Sequence, residues 1–274
     1  MQDGQVDQIM HRYEYDADNR ITSVYTSNQG YIWDMDAEYF YYLHGPLARL
    51  EVGEDKVQGV DHAYTLQGWL KGMNSSMLDP YMDMGNDGKL DATHLNRYAG
   101  RDILAFTLGY YSRNIDHGNT ALLDYEAING PAYPNSHFAP AEVSTLGDFY
   151  TNFKHQLYNG NIGYTSVVLT DENESALTPA AYGYEYDQLN RIRKMNYFEN
   201  SLLNTTNSLA FLTASSLYDS EYTYDGNGNL KTLFRNGNQS GSVNMDVFTY
   251  NYTTGANKNN RLLHVDDAMP SGLY

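Results

Sequence analysis

The sequence predicts a mainly β protein in which stacked antiparallel β-hairpins form a curled sheet, interrupted by a mixed helix and loop insert. Three observations support this fold class. A tyrosine-rich segment recurs along the chain, and every copy has Asn or Gly at the same position. In addition, the 274 residues include 27 tyrosines and 23 glycines but only 7 prolines. Aromatic residues favour strands, and glycine favours tight turns, so the composition predicts many short strands.

The repeat is defined relative to a pivot tyrosine, which occurs at Tyr15, Tyr41, Tyr64, Tyr186 and Tyr224. Two positions earlier stand Tyr13, Tyr39, His62, Tyr184 and Tyr222. Four positions later stand Asn19, Gly45, Gly68, Asn190 and Gly228. At plus six are Ile21, Leu47, Leu70, Ile192 and Leu230, and at plus nine are Val24, Leu50, Met73, Met195 and Leu233. Self-similarity over periods of about 20–50 residues is typical of repeat proteins.

Each copy predicts one β-hairpin. Side chains two residues apart in a strand point to the same face, so the two aromatic residues lie side by side. Asn and Gly tolerate the positive φ that a tight turn requires. The aliphatic residue at plus six opens the return strand, and we expect it to face the core. Because an isolated hairpin is marginally stable in water, the hairpins are expected to stack.

An aspartate follows the pivot in three copies, at Asp16, Asp187 and Asp225. Aspartate side chains commonly accept hydrogen bonds from backbone N–H groups a few residues further on. We therefore predict a local structural role for these carboxylates in the turn. A catalytic role would not require repetition.

These copies resemble the YD-repeat, or RHS-repeat, family. The resemblance rests on the segments Tyr13–Ile21, Tyr184–Ile192 and Tyr222–Leu230, the last of which is the most similar to the family form Tyr-x-Tyr-Asp-x-x-Gly-Asn/Arg-Leu. It covers residues 11–75 and 155–265. In this family, repeat sheets coil into hollow β-solenoid shells; bacterial members enclose a C-terminal toxin domain, and animal teneurins use a related barrel in cell adhesion.

The resemblance implies a structural shell or scaffold segment of a larger protein that encloses or presents a C-terminal effector domain, and no enzymatic activity. It also implies a secreted or cell-surface location. The self-cleaving Asp-Pro-x-Gly motif of the family is absent, because Asp79-Pro80 is followed by Tyr81-Met82. Self-cleavage is therefore not implied for this chain.

Three regions are predicted. YD/RHS-like repeats occupy residues 1–78, the insert with short helices and a long loop occupies residues 79–154, and further repeats with a disordered C-terminal tail occupy residues 155–274. Long insertions between repeats usually project from one face, where binding tends to occur.

Within the insert, helical spacing predicts one helix from Asp91 to about Tyr98 and a second from Ser144 or Thr145 to about Tyr158. Alternation of apolar residues predicts a strand at Ile103–Tyr110. Three prolines among Asn, Gly and Tyr predict an irregular loop over residues 115–143.

No motif predicts catalytic residues, a cofactor or a metal. The chain has no cysteine, and its eight histidines are scattered without metal-ligand spacing. Asp83, Asp87 and Asp91 partly fit a calcium-binding loop, but Gly85 and His94 occupy two further ligand positions of that pattern. The prediction is a tight polar turn, with these three aspartates as the alternative calcium ligands.

Charge and hydropathy limit the partners. A net charge of −17 argues against nucleic acid and anionic membranes. No segment approaches the ~18 apolar residues of a membrane span, and Met1–Asp7 lacks the features of a signal peptide. Because the repeats begin within the first fifteen residues, we expect a piece of a longer array whose partners are neighbouring repeats of the same longer chain.

Two alternative functions follow from other features. A carbohydrate- or cell-surface-binding module would use exposed tyrosines and Trp33 or Trp69 to stack against a surface glycan. A hydrolase would use a pair of carboxylates in the insert, and its mark would be a cleft where two carboxyl groups converge with perturbed pKa values.

Overall fold

The computed structural model describes residues 8–74, 78, 83–88, 96–115, 119–123, 158–173, 175, 177, 180–199, 213–238, 244–253 and 259–269. These residues contain sixteen β-strands and no helix, so the mainly β fold class is confirmed. The first eight strands are β1 Met10–Tyr15, β2 Ile21–Ser27, β3 Asp34–Tyr41, β4 Leu47–Val52, β5 Gln58–Tyr64, β6 Leu70–Met73, β7 Leu104–Gly109 and β8 Ser112–Ile115. The others are β9 Asn119–Leu123, β10 Tyr164–Leu169, β11 Ala180–Tyr186, β12 Ile192–Glu199, β13 Thr213–Tyr224, β14 Leu230–Asn236, β15 Asn244–Tyr252 and β16 Leu262–Asp267.

The described residues divide into two compact units. The first holds those of residues 1–107 and Val167–Leu177, and the second holds those of Leu108–Leu123, 142–166 and 178–274. In the first unit, strands β1 to β6 are neighbours in chain order, followed by residues 104–107 of β7 and residues 167–169 of β10. The second unit holds the remaining residues of β7 and β10 and then β11 to β16 in chain order. Strands β8 and β9 pair with each other.

Every repeat copy forms one antiparallel hairpin, namely β1–β2, β3–β4, β5–β6, β11–β12 and β13–β14. In β1–β2, the pivot Tyr15 pairs with Ile21 at plus six, and Tyr13 pairs with Val24 at plus nine. The other four hairpins have the same register. The repeated positions are therefore cross-strand partners, which confirms the predicted hairpins.

A β-bulge explains why the two aliphatic positions are three residues apart. Strict alternation would place plus six and plus nine on opposite faces of the strand. In β1–β2 the register shifts between Glu14 and Tyr15, which leaves Thr22 as an extra residue. This residue returns Val24 to the face of Ile21. The same shift precedes the pivot of each other repeat hairpin.

The deepest burial in the first unit lies on the face opposite the pivot tyrosines, which corrects one expectation. In β5, Asp61 and Ala63 are each 1% exposed, whereas Tyr64 is only half-buried. Leu70, the plus-six residue of this hairpin, is also half-buried, although the sequence predicts that it faces the core. The opposite face is more buried because residues 83–88 of the insert bond to it, as described below.

The insert departs from its prediction in two places. Strand β7 confirms the strand predicted at Ile103–Tyr110. The irregular loop predicted over residues 115–143 is wrong at Asn119–Leu123, which form β9. Residues 124–143 of that loop lie outside the described residues.

The helices predicted in the insert fall largely outside the described residues. Of the first, residues 91–95 are not described, and residues 96–98 form a turn in which the Ala99 N–H donates to the Asn96 carbonyl at 3.0 Å. Of the second, only Tyr158 is described, and it also lies in a turn. Residues 270–274 of the predicted disordered tail are outside the described part as well.

Candidate functional site

The turn of each repeat hairpin contains a left-handed residue at plus four. The φ angles are 63° for Asn19, 116° for Gly45, 82° for Gly68, 61° for Asn190 and 90° for Gly228. In the first turn, the Asn19 N–H donates to the Asp16 carbonyl at 3.1 Å and the Asp16 N–H donates to the Arg20 carbonyl at 3.0 Å. The other four turns have the same two hydrogen bonds. Such a turn, ending in a left-handed residue, is a common hairpin connection, so the predicted turn is confirmed.

The aspartate after the pivot stabilises the turn in three hairpins. Asp16 Oδ1 accepts hydrogen bonds from the N–H groups of Asp18 and Arg20, both at 2.9 Å. Asp187 and Asp225 accept the equivalent two bonds. These are the local hydrogen bonds that the sequence predicts. They contribute to lowering the pKa of all three carboxyl groups below the ordinary value.

Two arginines connect a turn to the next hairpin. Arg20 Nε donates to Asp16 Oδ2 at 2.7 Å, and the guanidinium carbon lies 4.6 Å from the ring centroid of Tyr41. Arg191 makes the same pair of contacts, at 2.6 Å to the carboxylate of its own turn and at 4.5 Å to the ring of Tyr224. Sequence reasoning missed this role, although arginine at plus five in two copies was the available signal.

A recurring hydrogen bond joins successive hairpins. The hydroxyl of the pivot Tyr41 donates to the carbonyl of Ile21, the plus-six residue of the preceding hairpin, at 2.7 Å. We call this bond the tyrosine link. It also joins Tyr186 to Ile162 at 2.9 Å, Tyr224 to Ile192 at 2.8 Å and Tyr252 to Leu230 at 2.9 Å.

The third hairpin is joined to the second by a variant of this link. There, Tyr42 donates its hydroxyl to the carbonyl of His62 at 2.7 Å. The rings of Tyr42 and Tyr64 also meet edge to face, with centroids 6.3 Å apart. Edge-to-face pairs of this kind are favourable because the positive ring edge meets the negative ring face.

The two tryptophans of the carbohydrate alternative are half-buried. The guanidinium carbon of Arg12 lies 5.1 Å from the ring centroid of Trp33 and 4.1 Å from that of Tyr25. Trp69 lies in the turn of the third hairpin, where its backbone N–H donates to Thr65 Oγ1 at 3.1 Å. Tyr31, two residues before Trp33 in the sequence, is 89% exposed.

A buried ion-pair cluster occupies the opposite face of the first unit. Its centre is Arg49 of β4, whose Nε donates to Glu51 Oε1 at 2.9 Å. Arg49 Nη1 donates to Asp61 Oδ2 at 2.5 Å, and Nη2 donates to Asp87 Oδ1 at 2.7 Å. All four residues are at most 2% exposed. Glu51 Oε2 also lies 2.5 Å from Nζ of Lys56.

Strand register and two glycines explain how Arg49 fits. Arg49 is opposite Asp61 in the β4–β5 pair, and Glu51 lies two residues further along the same face of β4. A Cβ atom added to Gly59 or to Gly85 would clash with the guanidinium. A larger residue at either position would displace the guanidinium or a neighbouring carboxylate, so glycine permits the close approach of the backbone.

Residues 83–88 form a loop that brings Asp87 to Arg49. Asp83 Oδ2 accepts the Asp87 N–H at 2.8 Å, which closes the loop on itself. The loop contacts the end of β6 because the N–H of residue 84 donates to the Asn74 carbonyl at 3.3 Å. Asn74 Nδ2 in turn donates to the carbonyl of Leu104 at 2.8 Å.

Asp102 places a further carboxyl group beside Asp83. Gln58 Nε2 donates to Asp102 Oδ1 at 2.8 Å. Burial and the neighbouring Asp83 carboxylate raise the pKa of Asp102 well above its ordinary value.

The pKa values of the acidic residues in the cluster shift in different directions. Hydrogen bonds from Lys56 and Arg49 outweigh burial and lower the pKa of Glu51. For Asp61, burial outweighs Arg49 and raises the pKa. Burial also raises the pKa of Asp87 to about 6, although Arg49 acts in the opposite direction. The cations therefore offset the cost of burying a negative charge less completely for Asp61 and Asp87 than for Glu51.

Three aspartates of this cluster could hold a metal ion. Asp61, Asp83 and Asp87 each offer a carboxylate oxygen, and these oxygens lie within 4.8 Å of one another. The structure thus brings together Asp83 and Asp87, two of the alternative calcium ligands, whereas Asp91 lies outside the described residues. Sequence reasoning missed Asp61, because its position beside the loop depends on tertiary structure.

Among the described residues, no helical segment has the length and hydrophobicity of a membrane span.

Comparison with known proteins gives structural matches only. No protein-family model matches the chain, and no curated protein matches it. The crystal structure of TcdB2-TccC3-Cdc42 matches 95% of this chain with 10% identity and a TM-score of 0.35. That of TcdB2-TccC3 matches 96% with 12% identity and a TM-score of 0.35. The present chain spans about a tenth of the length of these chains, 10% and 11% respectively.

Proposed function

We propose that this chain is a structural shell or scaffold segment of a larger RHS-repeat protein, and that it does not catalyse a reaction. The tyrosine link is the observation that supports this proposal. The same donor and acceptor positions recur in four tyrosine links, and a tyrosine hydroxyl also joins the second and third hairpins, so the arrangement extends by repetition. A wall requires this property, because each added hairpin must find an equivalent surface.

The edge of the first unit is compatible with further repeats as partners. Strand β1 has one neighbour, β2, so its outer backbone groups have no strand partner among the described residues. Tyr15 is 53% exposed, and within the described residues its hydroxyl makes no tyrosine link. A preceding hairpin of the same longer chain would supply the missing carbonyl.

The proposed wall encloses or presents a C-terminal effector domain and has a secreted or cell-surface location. Both parts follow from the resemblance of the repeat segments to the YD/RHS family. The net charge of −17 supports a partner other than nucleic acid.

The buried carboxyl pair favours this proposal over the hydrolase alternative. Asp83 and Asp102 converge and have raised pKa values, as a catalytic pair would. However, they are only 4% and 9% exposed. A substrate would need direct access to the pair, so a structural role fits better.

Cryo-electron microscopy of the complete gene product that contains these 274 residues tests the proposal. We expect hairpins that continue this register into a wall around an interior, and a second domain within it that resists added protease until the wall is opened. A self-contained domain with solvent on all sides, or equal protease sensitivity before and after opening, would contradict the proposal.

A carbohydrate-binding surface is the second candidate. The observation that favours it is the pair of adjacent exposed side chains Tyr31 and Ile32, 89% and 72% exposed. Binding on a glycan array that is lost in Tyr31→Ala but kept in Tyr98→Ala, a second exposed tyrosine, would support it. Absence of binding by the folded chain would exclude it for the glycans on the array.

A further inference from the structure

We propose that the loop of residues 83–88 and strand β5 bind a hard divalent cation, with calcium preferred, through oxygens of Asp61, Asp83, Asn86 and Asp87. The proposal does not depend on the scaffold function. It concerns the buried cluster described above and starts from oxygen atoms that have no hydrogen-bond donor.

Three buried oxygens of the loop and of β5 make no hydrogen bond among the described residues. They are Oδ1 of Asp61, Oδ1 of Asp83 and Oδ1 of Asn86, in residues that are 1%, 4% and 8% exposed. A buried polar atom without a partner destabilises a fold, and natural proteins satisfy nearly all such atoms with protein groups, water or ions. Asn86 is uncharged, so its free oxygen is an observation separate from the clustering of aspartates.

Arg49 occupies only part of the binding capacity of these carboxylates. It contacts Oδ2 of Asp61 and both oxygens of Asp87, and it leaves Oδ1 of Asp61 free. Asp83 Oδ2 accepts the backbone N–H of Asp87, which leaves its Oδ1 free as well. An ionised carboxylate has about four acceptor positions, so Asp87 can accept from Arg49 and still coordinate an ion.

The charges of the cluster match a divalent cation. Arg49 contacts the carboxyl groups of Glu51, Asp61 and Asp87, and Lys56 contacts Glu51 only. A divalent cation would add positive charge beside the three aspartates in a buried place, where negative charge without a partner is costly.

The ligand chemistry favours calcium over magnesium. Carboxylate and amide oxygens are hard ligands, and the described site offers no nitrogen or sulfur ligand. Calcium accepts six to eight oxygens in irregular geometry, whereas magnesium demands a near-ideal octahedron and keeps several waters. A site formed between a short loop and a strand therefore suits calcium. Binding would fasten the loop to β5, since Asp61 belongs to the strand and the other ligands belong to the loop.

The test is thermal unfolding of the whole chain after removal of bound metal with a chelator. Adding calcium chloride to the wild type is expected to raise the Tm by about 5 °C when free calcium exceeds the Kd about a hundredfold. Magnesium chloride should give a smaller shift. Asp83→Asn should remove most of the calcium shift, whereas Asp55→Asn, which changes an exposed aspartate in the turn between β4 and β5, should keep it.

A second variant and a direct binding measurement distinguish loss of calcium binding from loss of folding. Asn86→Ala removes one proposed ligand without changing any charge, and circular dichroism confirms whether each variant is folded. Isothermal titration should show calcium heat for the wild type and at least tenfold weaker binding for folded Asn86→Ala. The proposal is overturned by absence of both heat and Tm shift in the wild type, or by an equal shift in Asp83→Asn. A magnesium shift as large as that of calcium would overturn the choice of ion.

Discussion

The hydroxyl of Tyr41 donates to the carbonyl oxygen of Ile21 at 2.7 Å, and this bond joins the second hairpin to the first. The ring of Tyr41 is at the same time covered by Arg20, whose own carboxylate partner is Asp16. One tyrosine thus combines a hydrogen bond and a cation–π contact between two hairpins. The same combination recurs at Tyr224, with Ile192 and Arg191.

Removing the hydroxyl tests the tyrosine link. Tyr41→Phe should lower the free energy of unfolding by about 0.5–1.5 kcal/mol, because the carbonyl of Ile21 loses its donor. Tyr39→Phe is the matched control in the same strand, since its hydroxyl makes no hydrogen bond among the described residues. Urea denaturation measures both. An equal decrease in the free energy of unfolding in both variants would show that the hydrogen bond of the Tyr41 hydroxyl does not stabilise the fold.

The left-handed turn position can be tested at Asn19, which has a φ of 63°. Asn19→Ala should destabilise the fold by about 1–2 kcal/mol, because a Cβ without a polar group disfavours this conformation. Asn19→Gly has no such penalty and should change stability little. The comparison is made by urea denaturation, and an Ala variant as stable as the Gly variant would contradict the turn assignment.

The turn aspartates predict a loss of stability in acid. The Arg191 side chain is the largest cause of the lowered pKa of Asp187, with the backbone N–H groups of the turn acting in the same direction. A carboxyl group with a lower pKa in the folded state stabilises the fold above its unfolded-state pKa of about 3.9. This stabilisation is lost as the pH falls through the lower folded-state pKa.

Asp187→Asn should therefore lose less stability than the wild type between pH 6 and pH 3. The urea midpoint at each pH provides the measurement. Glu185→Gln is the control, because Glu185 makes no polar side-chain contact among the described residues. If the wild type and Asp187→Asn lose stability in parallel, the contribution of Asp187 is refuted.

The buried cluster makes Arg49 the most sensitive charged position of the first unit. Arg49→Met should destabilise the fold by about 3–5 kcal/mol, because it leaves the carboxylates of Asp61 and Asp87 buried without their cation. Arg193→Met removes an exposed arginine of β12 and should change stability by less than about 0.5 kcal/mol. Equilibrium unfolding followed by circular dichroism separates these results. A small effect at Arg49 would mean that the carboxylates take up protons or another cation instead.

The hairpins could be predicted because their determinants are local. The turn at Asn19 needs only a residue that tolerates positive φ, and the pairing of Tyr15 with Ile21 follows from the length of that turn. The bulge at Thr22 was not predicted, although the odd spacing between Ile21 and Val24 was visible in the sequence. Alternation alone did not show that one residue had to be extra.

The cluster could not be predicted in the same way. Asp83 and Asp87 were recognisable as possible ligands because they lie close together in sequence. Asp61 belongs to β5 and is far from Asp83 and Asp87 in the sequence. The alternation of residues along β5 does not show which of its two faces is covered. Arg49 and Asp61 would be an ordinary exposed pair if no loop packed over them.

The sequence by itself determined the repeating unit: the register of each hairpin, the left-handed turn residue and the carboxylate that accepts the turn's N–H groups. These features depend on contacts between residues close along the chain, so the local pattern is sufficient. Only the tertiary structure decided which face of the first unit is buried and that Arg49 lies among four carboxyl groups. Burial depends on what packs against a strand, and here a distant loop supplies that cover and changes ordinary surface charges into a buried, undercompensated cluster.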